Sequence, residues 1–204
     1  MTGSLRVLGE AMIRRLILLA AVAAVLGLAA FWWLTSLSIV PASALPAHSP
    51  DLANGKAMFY AGDCVSCHAV PKQDDKTRLG GGLAMHSAYG TFYVPNISPD
   101  RKDGIGAWSE AQFVTAMTKG KSPAGEHLYP AFPYPSYRHM RFDDLRDLFA
   151  YLQTLPPVAG GARHHDLCFP FNIRRALGLW KLLFLDGGPS PPDPSQSAQW
   201  NRGA

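Results

Sequence analysis

The pattern of apolar and polar positions divides the chain into two unlike parts. Residues 16–34 form an uninterrupted apolar run, whereas the sequence that follows mixes polar, glycine and proline residues. A helix over this run spans about 29 Å, which matches the roughly 30 Å hydrocarbon core of a bilayer. Arg14 and Arg15 precede the run, and no Asp, Glu, Lys or Arg follows it until Asp51. The positive-inside rule therefore predicts a membrane anchor within residues 1–35, with a cytoplasmic N-terminus and an exported remainder.

A cleaved signal peptide is the alternative interpretation of the same segment. Ala42-Ser43-Ala44 has the small-x-small pattern of a cleavage site. The hydrophobic region of a signal peptide has about 7–15 residues. This run is longer and ends with Trp32 and Trp33, where an interfacial aromatic belt would lie. We therefore favour an uncleaved anchor, and both interpretations export the rest of the chain.

The exported part contains helical signals separated by irregular sequence. Residues 36–50 are rich in Pro, Ser and Ala and are predicted to be a linker. Residues 69–107 are expected to be mostly irregular, and 128–137 form a loop rich in Pro and Tyr. Capping residues and apolar spacing predict helices over 51–61, 109–119, 142–154 and 172–185.

The last of these helices, 172–185, is amphipathic and is capped by Asn172. Its predicted polar side carries Arg174, Arg175 and Lys181. A partner subunit, the membrane surface and the chain's own domain are all open as the surface on which it packs.

The charge distribution changes little in this picture. The formal net charge is +4, and the first fifteen residues, with three arginines against Glu10, account for half of it. The remainder has no concentration of basic residues, so no nucleic-acid partner is expected.

The segment Cys64-Val65-Ser66-Cys67-His68 carries the candidate chemistry. It is a C-x-x-C-H sequence, in which two thiols add to the vinyl groups of a haem and the histidine becomes the proximal iron ligand. A thioredoxin-like redox pair would need a βαβ context, which the pattern does not predict. A zinc site would need a second ligand pair, which is missing. The sequence therefore predicts one covalently bound haem c.

The sixth iron ligand is less strongly determined by the sequence. We favour Met140, because a long connection before the third exported helix allows a thioether to reach the distal face. Met85 is the alternative methionine, and a bis-histidine iron through one of three histidines also stays open. Those histidines are His86, His127 and His139. Met58 and Met117 lie in predicted helices and are assigned to the core. Tyr129 and Tyr134 are predicted to wall the haem edge, with hydroxyls that reach the propionates.

The chain resembles a known family, the membrane-bound cytochrome c subunits of periplasmic alcohol, aldehyde and sugar dehydrogenases. Besides Cys64–His68, the resemblance rests on 89–100 (YGTFYVPNISPD), 104–109 (GIGAWS), 127–137 (HLYPAFPYPSY), 150–158 (AYLQTLPPV), 169–184 (FPFNIRRALGLWKLLF) and 200–204 (WNRGA). It covers residues 51–204. It implies an all-α, class I-like cytochrome c domain with long loops at 51–158, preceded by the transmembrane helix and followed by a C-terminal extension at 159–204.

The resemblance also implies a role and a location. The chain would be a single-pass protein of the bacterial inner membrane with its haem domain in the periplasm. It would pass single electrons from a flavin, quinone-cofactor or molybdenum dehydrogenase subunit to a membrane quinone or another cytochrome. We expect no catalytic residues of its own. A stand-alone cytochrome feeding a terminal oxidase and a haem sensor with an open sixth position are the alternatives.

The sequence departs from the family in one respect. Family members usually carry two or three C-x-x-C-H motifs, and this chain stops at Ala204, where the resemblance leads into a second haem domain. A single-haem relative and a truncated multi-haem protein both fit this end point.

Overall fold

The computed structural model describes residues 2–36, 39–161 and 163–203. Within these ranges the chain is mostly helical. The helices are α1 Thr2–Leu34, α2 Leu52–Ala61, α3 Cys64–His68, α4 Glu110–Lys119, α5 Tyr134–Tyr137, α6 Phe142–Leu152, α7 Leu177–Phe184 and α8 Ala198–Gly203. Short 3-10 turns lie at Ala42–Ala44 and Arg174–Ala176. Residues 37, 38 and 162 and the chain end at Ala204 lie outside the described residues, so part of the predicted linker does too.

A small antiparallel sheet adds to the predicted all-α class. β1 Ala84–Ser87 pairs with β2 Gly90–Tyr93, and β2 pairs with β3 Asp166–Leu167. β1 and β2 occupy part of the segment that is expected to be irregular. The strands are short, and the third comes from the C-terminal extension, so no local alternation identifies them. The mostly helical class is confirmed, and the strictly all-α expectation is corrected.

Local capping signals explain two of the helices. The Asp51 side chain accepts hydrogen bonds from the backbone N–H groups of Ala53 and Asn54, which begins α2. Ser109 and Gln112 form a reciprocal capping box at the start of α4. Gly120 ends α4 in the left-handed conformation, with φ of 58°. These helices begin and end close to the predicted positions.

The helix predicted over 142–154 is present as α6, which begins at Phe142 and ends two residues early. Helices nearer the C-terminus and within predicted loops depart more from expectation. The predicted helix over 172–185 is shorter, because a 3-10 turn precedes α7 and Asn172 does not cap it. α5 lies within the predicted Pro/Tyr loop, and α8 lies within the predicted C-terminal extension.

The core of the domain is a frame of three helices, α2, α4 and α6, which we call the helix frame. α2 crosses α6 at Gly55, where a Cβ atom would overlap the backbone carbonyl of Asp147. Phe59 is fully buried at this crossing, and its ring centroid lies 5.4 Å from that of Tyr151. On the other side of α6, Phe149 packs against a buried α4 phenylalanine with centroids 4.9 Å apart. Close apolar packing therefore fixes the helix frame.

Residues before α2 join the frame through polar contacts. Asp147 of α6 is buried and accepts hydrogen bonds from the Asp51 backbone N–H, the Asn54 amide and the His48 ring. Further upstream, the backbone N–H of Val40 donates to Thr115 of α4 over 3.0 Å. The described residues of the predicted linker thus lie against the domain.

One helix segment of the described chain, Gly9–Leu34, is long and apolar enough to span a membrane. Its C-terminal end meets the domain through a set of polar contacts that we call the anchor joint (Trp32, Thr35, His127 and Arg175). Arg175 donates to the Trp32 carbonyl over 2.7 Å and to the Thr35 hydroxyl over 3.0 Å. The buried His127 ring donates through Nε2 to the Thr35 carbonyl over 3.0 Å. Hydrogen bonds therefore hold the end of α1 against the domain, in addition to the covalent chain that joins them.

In α7 a charged residue is buried and apolar residues are exposed, which is the reverse of the usual arrangement in a surface helix. Lys181, predicted to lie on the polar side of this helix, is buried and donates to the carbonyls of Lys119 and Gly120 at the end of α4. Leu182, Leu183 and Phe184 are exposed instead. The helix therefore packs on its own domain with its lysine inward and its apolar side outward.

Candidate haem site

The two motif cysteines lie on α3, directly after α2. Asp63 joins the two helices in the left-handed conformation, with φ of 50°. Cys64 and Cys67 are half-buried free thiols. Burial raises the pKa of Cys64 to about 11, so its thiol is protonated at neutral pH. Two neighbouring thiols that form no disulfide are the groups that thioether attachment requires.

The third motif residue, His68, is held by the backbone. Its Nδ1 lies 2.9 Å from the carbonyl oxygen of Pro95, a hydrogen bond in which Nδ1 carries the proton. No described residue bonds to Nε2, which keeps a free lone pair in this tautomer. Burial lowers the pKa of His68, and the Pro95 carbonyl opposes this shift. A neutral imidazole oriented by a backbone carbonyl is the form in which histidine binds a metal.

The Pro95 carbonyl owes its position to a close approach of two loops. The Gly81 N–H donates to the His68 carbonyl over 2.8 Å, and the Ile97 N–H donates to the Leu79 carbonyl over 3.0 Å. Gly81 has φ of 68°, and a Cβ atom there would overlap the Pro95 carbonyl. Sequence reasoning missed Pro95, because a backbone acceptor 27 residues from its donor leaves no side-chain signature. The run of glycines at 80–82 was the available signal for such a close approach.

The donor set fits a haem c. It offers two free thiols and one imidazole with a fixed tautomer, all on one short helix. Across the described ranges, no group of three or more His, Cys, Asp or Glu side chains is arranged to hold a metal ion. The motif thus lacks the ligands that a tetrahedral zinc site would need, whereas haem attachment needs no further protein thiol or carboxylate.

The methionines considered as sixth ligand lie in different surroundings. Met140 is partly buried and packs against the same apolar core as Cys64 and Tyr137. Met58 of α2 also packs there, whereas Met117 is buried within α4. Met85 lies on β1, within the small sheet. Met140 is therefore the methionine outside the long helices that packs, like Cys64, against the apolar core of the domain.

The candidate histidines make contacts elsewhere. His127 belongs to the anchor joint. His139 is exposed, and its Nδ1 lies 2.9 Å from the Gly188 carbonyl. His86 is exposed on β1, where its Nδ1 lies 3.0 Å from the Thr91 hydroxyl.

The two predicted tyrosines are separated in the structure. The Tyr129 hydroxyl donates to the Phe171 carbonyl over 2.8 Å, which engages it with the C-terminal extension. Tyr134 is fully buried, and its hydroxyl has no hydrogen-bond partner in the described chain. Tyr137 instead lies beside the motif and donates to the Gly62 carbonyl over 2.8 Å. Burial raises the pKa of Tyr137 to about 12, which keeps this donor protonated.

The motif, the helix frame and the oriented histidine together define a c-type cytochrome domain. The family model for cytochrome c matches residues 52–156. The chain belongs to the cytochrome c family, and this family carries covalently bound haem c. The match begins at the first residue of α2 and ends just beyond α6, so it covers the helix frame and the motif.

The chain is similar to cytochrome subunits of several dehydrogenases. It is 49% identical over 142 residues to a "Diheme cytochrome c-type" protein of Cereibacter sphaeroides, covering 69% of this chain and 47% of that protein. It is 46% identical over 153 residues to a nicotinate dehydrogenase subunit of Pseudomonas putida, covering 75% and 13% respectively. It is 38% identical over 165 residues to the "Fructose dehydrogenase cytochrome subunit" of Gluconobacter japonicus, covering 80% and 33%.

The resemblance to cytochrome c subunits of dehydrogenases is thereby confirmed. The chain spans less than half the length of each of these three relatives.

Proposed function

We propose that this chain is an electron-transfer subunit that holds one haem c through Cys64 and Cys67, with His68 as proximal ligand and Met140 as distal ligand. The hydrogen bond from His68 Nδ1 to the Pro95 carbonyl carries this proposal, because it leaves Nε2 as the metal-binding nitrogen. When bound, a haem c supplies one-electron redox chemistry at its iron. The chain contributes the ligands, an apolar surrounding and a docking surface.

The choice of Met140 rests on its position. It packs against the same apolar core as Cys64 and Tyr137, and its backbone N–H donates to the Tyr137 carbonyl over 3.0 Å. A thioether ligand beside an imidazole gives a higher reduction potential than two imidazoles would. Replacement of Met140 by Ala should abolish the methionine-to-iron charge-transfer band at the red edge of the ferric spectrum. Replacement of Met58 by Ala, in the same apolar core, should leave that band in place, and an unchanged band in the Met140 variant would exclude this ligand.

A dehydrogenase is the proposed electron donor, because two of the named relatives are subunits of nicotinate and fructose dehydrogenases. We propose that electrons leave towards a membrane quinone or another cytochrome. The donor subunit would be of the flavin, quinone-cofactor or molybdenum type. These roles assume that α1 spans the inner membrane with Arg14 and Arg15 on the cytoplasmic side, which puts the haem domain in the periplasm.

A reduction experiment on native membranes tests this function. The tagged full chain is purified from native membranes together with any bound dehydrogenase, and ethanol, fructose, gluconate or nicotinate is added. The ferric-to-ferrous absorbance change of the haem is then followed. We expect one of these substrates to reduce the chain, and the reduction to need the co-purifying dehydrogenase. Failure of all four, together with rapid carbon monoxide binding by the ferrous protein, would instead favour a sensor or an enzyme with an open sixth position.

A further inference from the structure

A pocket of about 160 Å³ lies at the point where the apolar helix α1 ends. Leu34, Thr35 and Ser36 form one side of it, and Leu182 of α7 forms another. Arg138, which directly follows α5, lines the pocket as well. None of the described residues that line the pocket is an Asp or a Glu.

Arg138 gives the pocket an unsatisfied positive charge. Its side chain is buried, with 5% of the residue exposed, and Nη2 donates to the Gly187 carbonyl. Nε and Nη1 have no hydrogen-bond partner among the described residues. A guanidinium stays protonated in proteins, and burying a charge without a partner is strongly unfavourable. The described residues of the pocket therefore provide no hydrogen-bond acceptor for Nε and Nη1 of Arg138.

Lys181 and Lys119 also line the pocket. Lys181 donates to the carbonyls of Lys119 and Gly120, and its ammonium lies 4.6 Å from the centroid of the Tyr134 ring. No carboxylate of the described chain pairs with it. Burial lowers the pKa of Lys181 to about 7, and a nearby anion would act in the opposite direction. Two buried basic side chains without a lining carboxylate are suited to an anion that can accept several hydrogen bonds, such as a phosphate group.

The surroundings of the pocket indicate which kind of phosphate compound it would bind. Leu34 is the last residue of α1, so the pocket lies at the depth where a bilayer changes from hydrocarbon to head groups. Beside it, the outward side of α7 exposes Leu183 by 74% and Phe184 by 63%. An exposed apolar helix side beside the end of a membrane-spanning helix is suited to burial in the membrane interface. A free phosphate would gain nothing from these apolar neighbours, whereas a lipid would gain contacts for its chains.

We propose that this pocket binds the phosphate of an anionic phospholipid, whose acyl chains lie along α1 and the exposed side of α7. This proposal rests on the proposed membrane anchoring, but not on the haem ligands or on the identity of the dehydrogenase. The bound lipid would contact the end of α1, the residue after α5 and α7 at the same time, and so hold these three segments together.

The test uses the full haem-loaded chain in a neutral detergent. Native mass spectrometry measures retention of phosphatidylglycerol and phosphatidylcholine with identical acyl chains, offered together. We expect wild type to prefer phosphatidylglycerol. Arg138→Gln should bind it about tenfold more weakly, the loss expected for one charge-assisted hydrogen-bonded group. Arg141→Gln is the matched control, because Arg141 is an exposed arginine three residues away that pairs with Asp143.

Two further arms distinguish a lipid site from an ion site and from a structural arginine. Inorganic phosphate, added in excess, should not displace phosphatidylglycerol, and full displacement would show an ion site rather than a lipid site. If Arg138→Gln fails to load haem, Arg138→Lys and Lys181→Met replace it, and at least one must lower phosphatidylglycerol retention. Wild-type retention in all variants, or a variant that shifts only the reduction potential, would overturn the proposal in favour of a purely structural or haem-directed Arg138.

Discussion

The helix frame and the anchor joint stabilise this cytochrome by different chemistry. In the frame, α2 and α6 touch directly at Gly55, and Phe59 fills the crossing. In the joint, Arg175 and His127 donate to main-chain and hydroxyl oxygens at the end of α1, with Thr35 accepting from both. The frame therefore depends on shape and buried apolar area, and the joint depends on complete hydrogen bonding.

This difference has a consequence for how each region responds to change. The frame should be sensitive to one added methyl group but tolerant of surface charge changes. The joint should be sensitive to loss of one donor but tolerant of volume changes at its rim. The motif helix α3 belongs with the frame, because Cys64 packs against the frame's apolar core.

The largest effect is expected for the two motif cysteines. Replacing Cys64 and Cys67 together by Ser should abolish covalent haem, since no thioether bond can form. Haem staining after denaturing electrophoresis measures this loss. Cys168→Ser is the control, because Cys168 is an exposed free thiol outside the motif and its replacement should leave the stain unchanged. Staining that persists in the double variant would mean that attachment uses another residue.

The next largest effect is expected in the frame. Gly55→Ala should lower the free energy of unfolding by about 3 kcal/mol, since the added Cβ forces α2 away from α6. Denaturant unfolding of the haem-loaded chain checks this value. Gly188→Ala should have little effect, because nothing lies within 4 Å of a Cβ at Gly188. Equal stability of the two variants would contradict direct helix contact.

A third test concerns the polar edge of the frame. Burial acts to raise the pKa of Asp147, but hydrogen bonds from Asn54, Asp51 and His48 outweigh it, so the pKa lies below its ordinary value of 3.8. The stabilisation is therefore present above pH 3.8 and is lost as the pH falls through the lower, folded-state pKa.

Asp147→Asn should reduce stability by about 2 kcal/mol at neutral pH and flatten the acid side of the stability curve. Urea unfolding as a function of pH measures both. Asp143→Asn serves as the comparison, since Asp143 is more exposed on the same helix and its replacement should change the curve less. An unaltered acid limb in the Asp147 variant would exclude this network as the cause.

The smallest effect is expected at the joint. Arg175→Gln removes the donors to Trp32 and Thr35 and the stacking of its guanidinium 3.6 Å from the Trp32 ring. A loss of about 1 kcal/mol should speed hydrogen exchange of the last amides of α1 several-fold without changing the haem spectrum. Arg141→Gln, which loses an exposed contact with Asp143 outside the joint, should not do so. Equal exchange in both variants would argue against a joint held by hydrogen bonds.

The sequence predicts locally determined elements better than contacts between distant residues. α2 and α4 begin at local caps, Asp51 and Ser109, so their positions follow from nearby residues. The Cys64–His68 motif was predictable for the same reason. By contrast, β3 pairs with a strand more than seventy residues earlier, and the Pro95 carbonyl acts through the backbone. Such contacts leave no periodicity or motif in the sequence.

Lys181 shows the same limit near the joint. The sequence pattern puts it on the polar side of an amphipathic helix, but its partners are two carbonyls at the end of α4. A buried lysine that caps another helix is set by tertiary packing, which a helical pattern does not encode.

The most direct test of haem attachment is mass spectrometry of the full chain, produced in a host that matures c-type cytochromes. We predict one haem per chain, carried by the peptide that contains Cys64, Cys67 and His68, with both thiols consumed and Cys168 free. A folded chain with both motif thiols unmodified would contradict a covalent haem at this motif.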